Sequence, residues 1–313
     1  MDRAGRILGL AGDPDPALVR EKVGAFRSLI LFHAAVQSWH WFHWATGSPS
    51  AERAAVQVVG AASLVLSGCF ALSFWRRGAR FAALLALPIL LYQMVWHFPH
   101  TANHFYLSLW GVAMLACFGS RSADRDEDNR LQLQILQWSV LIVLFYSGFQ
   151  KLVYGSYFHA DFLAYQIGTK EFFADFFRHV LPADELTRLR AIDPTQEGAG
   201  PYRTTSLALL SISNAVYLTE IALPLALLYR RSRTTAAWIA IAFVGFLQAG
   251  AREILFGLLM LSMLLLFLQE GAFNRRLLWS MIALYLYALM ASFGVVPGSS
   301  LLNPSSLPGR VHL

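Results

Sequence analysis

The feature that most constrains this chain is the recurrence of long apolar runs separated by short, arginine-bearing connections. A bilayer-crossing helix needs about 20 predominantly apolar residues, and such windows recur roughly nine times along the sequence. They run from Phe26 to Ala45, Val56 to Trp75, Phe81 to Phe98, Phe105 to Phe118, Leu131 to Tyr154, Leu207 to Tyr229, Ala236 to Ala251, Ile254 to Leu268 and Leu277 to Val296. The fourth, seventh and eighth are short enough to span only half of a bilayer. Composition agrees, because 56% of the residues are hydrophobic and 14% charged, whereas soluble domains carry about 25% charged residues. The expected fold is an all-α, polytopic integral membrane helical bundle of about nine spans.

Charge sets the expected orientation. The net charge of +6 comes from arginines clustered between apolar runs rather than spread over one basic face, so it reads as topology and not as a nucleic-acid surface. With Arg20 and Lys22 cytoplasmic, the loops holding Arg76, Arg77 and Arg80, then Arg121, Arg125 and Arg130, then Arg230, Arg231 and Arg233, then Arg275 and Arg276 all fall on that side. The expected segments are a cytoplasmic N-terminus (1–22), spans one to five (23–154), an extracytoplasmic segment (155–203), spans six to nine (204–296) and an extracytoplasmic tail (297–313). This is the layout of a plasma (inner) membrane protein. The polar start of the chain gives no cleavable leader, and the first span is expected to direct insertion.

Within 155–203, Phe172, Phe173, Phe176 and Phe177 follow helical spacing beside Lys170, Glu171, Asp175 and Arg178, which predicts an aromatic helix in the outer membrane interface. Ala183 to Tyr202 reads as a polar loop. Cys69 and Cys117 lie in apolar runs and read as inert core thiols. No internal repeat is evident, which disfavours an inverted-repeat transporter.

Ionisable residues at membrane depth are costly, and each is a candidate for function. Asn103 and His104 open the fourth window while Lys151 closes the fifth, at the same expected face. A desolvated lysine there would serve as a general base; alternatively its stem snorkels and the amine sits in the interface. Glu220, inside the sixth window, needs a basic or hydrogen-bonding partner on a neighbouring helix. His40 and His43 are spaced i,i+3, and His97, His100 and His104 similarly around Pro99, so these five could ligate iron, copper or zinc. Trp39, Trp41 and Trp44 beside them equally suit an interfacial belt.

The order of these motifs resembles the membrane portion of vitamin K-dependent γ-glutamyl carboxylases and the related bacterial HTTM (horizontally transferred transmembrane domain) proteins. The resemblance starts at Asp15-Pro16-Ala17 and Phe26-Arg27, strengthens at Asn103-His104-Phe105-Tyr106-Leu107 and Gly148-Phe149-Gln150-Lys151-Leu152, and continues to Glu220 before Pro224. It covers about residues 15 to 270 and rests on motif order. It implies that Lys151 deprotonates a reduced quinone of the menaquinol or vitamin K hydroquinone type, which reacts with O₂. The strongly basic product then removes a carbon-bound proton and the carbanion captures CO₂. Asn103 and His104 would orient the quinone, with Tyr106, Glu220 and Gln248 also lining its site.

Two departures matter. Gln248 in Phe246-Leu247-Gln248 stands where the carboxylases have a histidine, so proton transfer at that position is lost. The chain also ends shortly after the ninth window, without the β-rich region that holds protein substrates in the animal enzymes. The resemblance therefore points to a small molecule or short peptide as substrate. Two further readings remain open: a histidine-ligated, metal-dependent membrane oxidase, and a non-enzymatic transporter or export/immunity partner.

Overall fold

The computed structural model describes residues 15–47, 53–75, 78–96, 103–118, 125–192 and 202–297. Among these residues the chain is all-helical and without strands. In order, the helices are α1 (Pro16–Gly47), α2 (Arg53–Ser73), α3 (Gly78–Trp96), α4 (Asn103–Cys117), α5 (Arg125–Tyr154), α6 (Asp161–Thr169), α7 (Glu171–Phe177), α8 (Ala183–Arg190), α9 (Leu207–Leu228), α10 (Arg233–Ala251), α11 (Ile254–Leu264) and α12 (Arg275–Ser292), with a 3-10 turn at Leu265–Phe267.

A helix occupies every apolar window read from the sequence. Five segments, Arg53–Ser73, Gly78–Val95, Asp126–Tyr154, Leu207–Leu228 and Arg233–Ala251, are long and apolar enough to cross a membrane. On that ground the chain is a membrane protein. The other windows fall short of the same measure: Phe105–Cys117 and Ile254–Phe267 are short, α12 opens on Arg275 and Arg276, and α1 carries Lys22, Arg27, His33, Gln37 and His40.

The helices divide into two units, Leu10–Gln137 with Arg252–Leu313, and Trp138–Ala251, and the division falls within α5. In the first unit α1 is central, packed by α2, α3, α4, α11 and α12. It starts where Asp15 accepts a hydrogen bond from the Ala17 amide at 2.8 Å and Pro16 sits at the first helical position, which wants no amide proton. Lys22, Ser28, His33, Gln37, Ser38 and His40 of α1 face inward. Ser38 bonds Ser63 and Gln93, each at 2.9 Å, Trp39 donates to Ser67 at 2.9 Å, and His33 Nδ1 shares a hydrogen bond with the Tyr285 hydroxyl at 3.2 Å. Outside them, α2 and α3 expose Leu64, Val65, Phe81, Leu84 and Leu91. Apolar side chains outside are what a lipid solvent requires, while inside neither amide atom of Gln37 has a partner among the described residues. Cys69 is buried, as read from the sequence, but Cys117 is exposed, so only one thiol belongs to the core.

In the second unit α6, α7 and α8 form a small module. Its core holds Leu163, Ile167, Ala174, Phe177, Leu189, Tyr202 and Leu209. The α7 rings are largely folded inward: Phe177 is buried and Phe173 and Phe176 pack against the same core. Phe176 also meets Phe246 edge to face, at 5.7 Å between centroids.

The expected loop from Ala183 to Tyr202 is corrected by α8. Asp184 and Glu185 in its first turn and Arg188 and Arg190 in its last match the helix dipole, and Leu189 anchors it in the core. Glu185, 6% exposed, gathers Arg188 Nε at 2.9 Å, Arg188 Nη2 at 3.1 Å, Thr204 Oγ1 at 2.9 Å and the Thr205 amide at 3.0 Å. This clasp ties α8 to the residues that lead into α9.

Hydrogen bonds from Arg188 first, then from Thr205 and Thr204, hold the Glu185 carboxyl down at about 2 against its burial. Its folded value lies below the ordinary carboxylate range, so the clasp stabilises fully above about pH 4.5 and fades as pH falls toward 2. Because Arg188 is 43% exposed, screening leaves a contribution of about 1 kcal/mol. Glu185→Gln should lower unfolding stability in detergent by that amount at pH 7, with the difference from wild type closing between pH 4.5 and 2. A pH-independent difference would show that the charge is not what holds the clasp.

Candidate functional site

The site is built on α5 and α9 within the second unit. Gly148 sets their separation. A Cβ there would lie 2.8 Å from the Tyr217 carbonyl oxygen, 2.9 Å from Glu220 Cβ and 2.9 Å from Ile221 Cγ1, so any side chain would push the helices apart. Its absence lets the residues one turn away meet. Pro224, four residues after Glu220, cannot donate to the Glu220 carbonyl and leaves α9 locally under-bonded there.

At this approach Lys151 Nζ contacts both oxygens of Glu220, Oε1 at 2.5 Å and Oε2 at 2.6 Å. Ser147, one turn before Lys151 on α5, lies 3.3 Å from Lys151 Nζ and donates to Glu220 Oε1 at 3.3 Å. The Glu220 side chain is 6% exposed and that of Lys151 21%. Lys151 Nζ also lies 5.1 Å from the centre of the Tyr157 ring, which it faces as a cation. The need of Glu220 for a basic partner is met by Lys151, two sequence-derived candidates brought into one contact.

Around the pair stands an aromatic wall. Tyr157 stacks on Phe162 at 5.1 Å and Phe158 meets Tyr217 edge to face at 5.4 Å. Val216, Ile221, Phe243 and Leu247 fill in behind. Burial first, and the Glu220 carboxylate second, push the Tyr157 phenol above its ordinary value, so it stays neutral.

This geometry changes what Lys151 can do. The sequence suggested an isolated, desolvated amine; the structure gives the amine a carboxylate at contact distance. An ammonium and a carboxylate side by side offer a donor and an acceptor to a hydroxyl brought to either group.

The remaining sequence candidates are placed as follows. Asn103 and His104 form the first turn of α4, and their side chains lie outside the described residues. Tyr106, also on α4, is exposed. α4 belongs to the first unit and Lys151 to the second. Gln248 stands on α10 in the second unit, with its Oε1 buried and accepting no hydrogen bond from the described residues. Of the five possible metal ligands, His40 is buried with Nδ1 lacking a described partner, and His43 is exposed with its ring 4.8 Å from Phe293. His97, His100 and the His104 side chain lie outside the described residues. Among the described residues, no group of three or more His, Cys, Asp or Glu is placed to hold a metal.

Ser147, Ser213 and Asn214 were not singled out from the sequence. For Ser147 the signal was present, since it lies four residues before Lys151 on one helix face. The other two depend on tertiary contacts. Among the described residues, the fold and site thus define an all-helical membrane protein with a Lys–Glu contact in which Glu220 is buried, Lys151 is partly exposed and the Tyr157 ring faces the amine. No protein-family model, curated protein or solved structure matches the chain.

Removing one member of a buried pair strands the other. Lys151→Met and Glu220→Gln should each lower unfolding stability in detergent by about 3 kcal/mol. The double variant Lys151→Met/Glu220→Gln should lose about 2 kcal/mol less than the sum of the two. Additive losses in this cycle would mean that the contact contributes nothing.

Proposed function

We propose that this chain is a carboxylase-like integral membrane oxidoreductase related to the HTTM proteins, with Lys151 and Glu220 as its proton-handling pair. The observation that carries the reading is the Lys151–Glu220 contact, with Glu220 buried and the Tyr157 ring against the amine. In this reading the chain has about nine spans, its N-terminus is cytoplasmic and its C-terminus extracytoplasmic. The α7 helix lies at the outer interface. O₂ is the oxidant, and a small molecule or short peptide is the substrate.

The residues present fit a reduced quinone. Tyr157, Phe158, Phe162 and Tyr217 offer ring faces and edges to a flat ring. Lys151, Glu220 and the unpaired Oε1 of Gln248 are hydrogen-bonding groups suited to hydroxyls. When bound, such a group supplies the electrons that reduce O₂. Lys151 would pass its own proton to Glu220 Oε2 as it accepts a hydroxyl proton at Nζ, so that the pair gains one proton in all, and Ser147 keeps Oε1 oriented. The aromatic wall excludes water from the exchange. Asn103, His104 and Tyr106 are assigned no step.

Protein purified in mild detergent is expected to carry an extractable quinone without stoichiometric iron, copper or zinc, and to consume O₂ when given reduced quinone. Lys151→Ala should slow that consumption about a hundredfold or more. Stoichiometric metal without quinone would shift the chemistry to His40, His43, His97, His100 and His104. Solute flux that survives Lys151→Ala, without O₂ consumption, would make the chain a transporter or export partner instead.

The orientation has its own test. Single cysteines introduced at Phe158 and Arg231, in a chain lacking Cys69 and Cys117, should react with an impermeant maleimide from opposite sides of the membrane. Labelling from one side overturns the topology and leaves the ion pair untouched.

A further inference from the structure

Between α5 and α6 the chain makes a tight turn whose two ends both have positive φ: Gly155 at +72° and Ala160 at 58°. Glycine is at ease there, but alanine is not. Ala160 is nonetheless fully buried in the α6–α8 core, so packing holds its disfavoured backbone in place. The turn is closed by hydrogen bonds from the Phe158 amide to the Gly155 carbonyl at 3.0 Å and from the Ala160 amide to the Tyr157 carbonyl at 3.2 Å.

Two side chains of α9 grip this turn from outside. Ser213 Oγ donates to the Tyr157 carbonyl at 2.7 Å and Asn214 Nδ2 to the Phe158 carbonyl at 3.2 Å. Asn214 is itself fixed, since its Oδ1 accepts from the Tyr217 hydroxyl at 2.9 Å. The turn carries Tyr157, whose ring faces the Lys151 ammonium at 5.1 Å. One short segment is therefore hinged at two left-handed positions, latched by two side-chain bonds, and bears the ring that covers the amine.

We propose that Gly155–Ala160 is a latched strap over the Lys151–Glu220 pair, and that Tyr157 is the positioning residue that covers and orients the Lys151 amine until a ligand displaces it. Ser213 and Asn214 hold the main chain of the strap, and Tyr157 packs on Val216 and Tyr217 of α9, so opening means breaking these two bonds and lifting the Tyr157 ring from α9. The strap then decides what reaches the amine, whichever reaction or transport step follows.

The sequence makes a direct test possible, because Lys22, Lys151 and Lys170 are its lysines and Lys22 is 1% exposed. The full-length protein in detergent is treated with N-acetoxysuccinimide, and acetylation of Lys151 is followed by mass spectrometry with Lys170 as the internal reference. In wild type, Lys151 should acetylate at least about tenfold more slowly than Lys170, as expected of an amine under a closed strap. Ser213→Ala/Asn214→Ala, which leaves Lys151, Glu220 and Ser147 in place, should raise the Lys151 rate about tenfold and leave Lys170 unchanged. Tyr157→Ala should do the same by a separate route, and Tyr157→Phe, which keeps the ring, should restore the wild-type rate.

Wild-type Lys151 reacting as fast as Lys170 would overturn the strap. So would latch and Tyr157→Ala variants, still folded by their thermal transitions, that react at the wild-type rate. If Tyr157→Phe reacts as fast as Tyr157→Ala, the ring is not the cover. Acetylation reads access rather than turnover, so failure of the oxidoreductase reading leaves this result standing, and the reverse also holds.

Discussion

A carboxylate and an ammonium in contact among apolar helices are the constraint around which the second unit is organised. Either charge alone is costly away from water, and together they still need good geometry and satisfied lone pairs. Gly148 brings the backbones close enough, Ser147 supplies the additional hydroxyl, and Tyr157 places its π face toward the cation. Each of these residues would be replaceable in a helix pair held by leucines. Here each has a task set by two charges, and Pro224 places the locally under-bonded turn of α9 at the charged residue itself.

The first unit buries mostly neutral polar groups, together with Lys22 and with Arg27 held by Asn129 and Gln132. The α1 helix falls short of the hydropathy of the five long apolar segments, and its Ser28, His33, Gln37 and Ser38 are all buried. Ser63, Ser73, Gln93 and Tyr285 on the neighbouring helices meet several of them. A helix wrapped on all sides by others can be polar, because its solvent is protein rather than lipid. The outer helices α2 and α3 show the reverse pattern and expose their leucines and valines.

How far the sequence reveals this follows from which interactions are local. The windows were legible because a run of apolar residues is a property of neighbours along the chain, and a helix lies in each. That Glu220 needs a partner was legible from cost alone. That the partner is Lys151, rather than His104 or an arginine, depends on the rotation of two helices whose facing residues are 69 positions apart, which periodicity does not supply. The α8 helix was hidden for a different reason. Its flanking Pro182 and the polar residues around it look like loop chemistry, and its stability comes from Leu189 in a core and from Thr204 and Thr205, which bond Glu185 across the chain. The strap was hidden most deeply, since nothing in Gly155–Ala160 states that Ser213 and Asn214 will grip it.

The pair and the strap also act on each other through the dielectric. With the Tyr157 ring against Lys151, less water reaches the contact and the attraction between the charges is stronger than it would be with the ring removed. Opening the strap admits solvent or a ligand, weakens that attraction, and frees the amine and the carboxylate to bond to something other than each other. A ligand that replaces the Tyr157 ring with another ring face would restore the closed electrostatics, with its own hydroxyl now beside the pair. In the proposed reading, access to the amine and its contact with Glu220 are coupled through Tyr157, and an isolated lysine in the same place would have no such coupling.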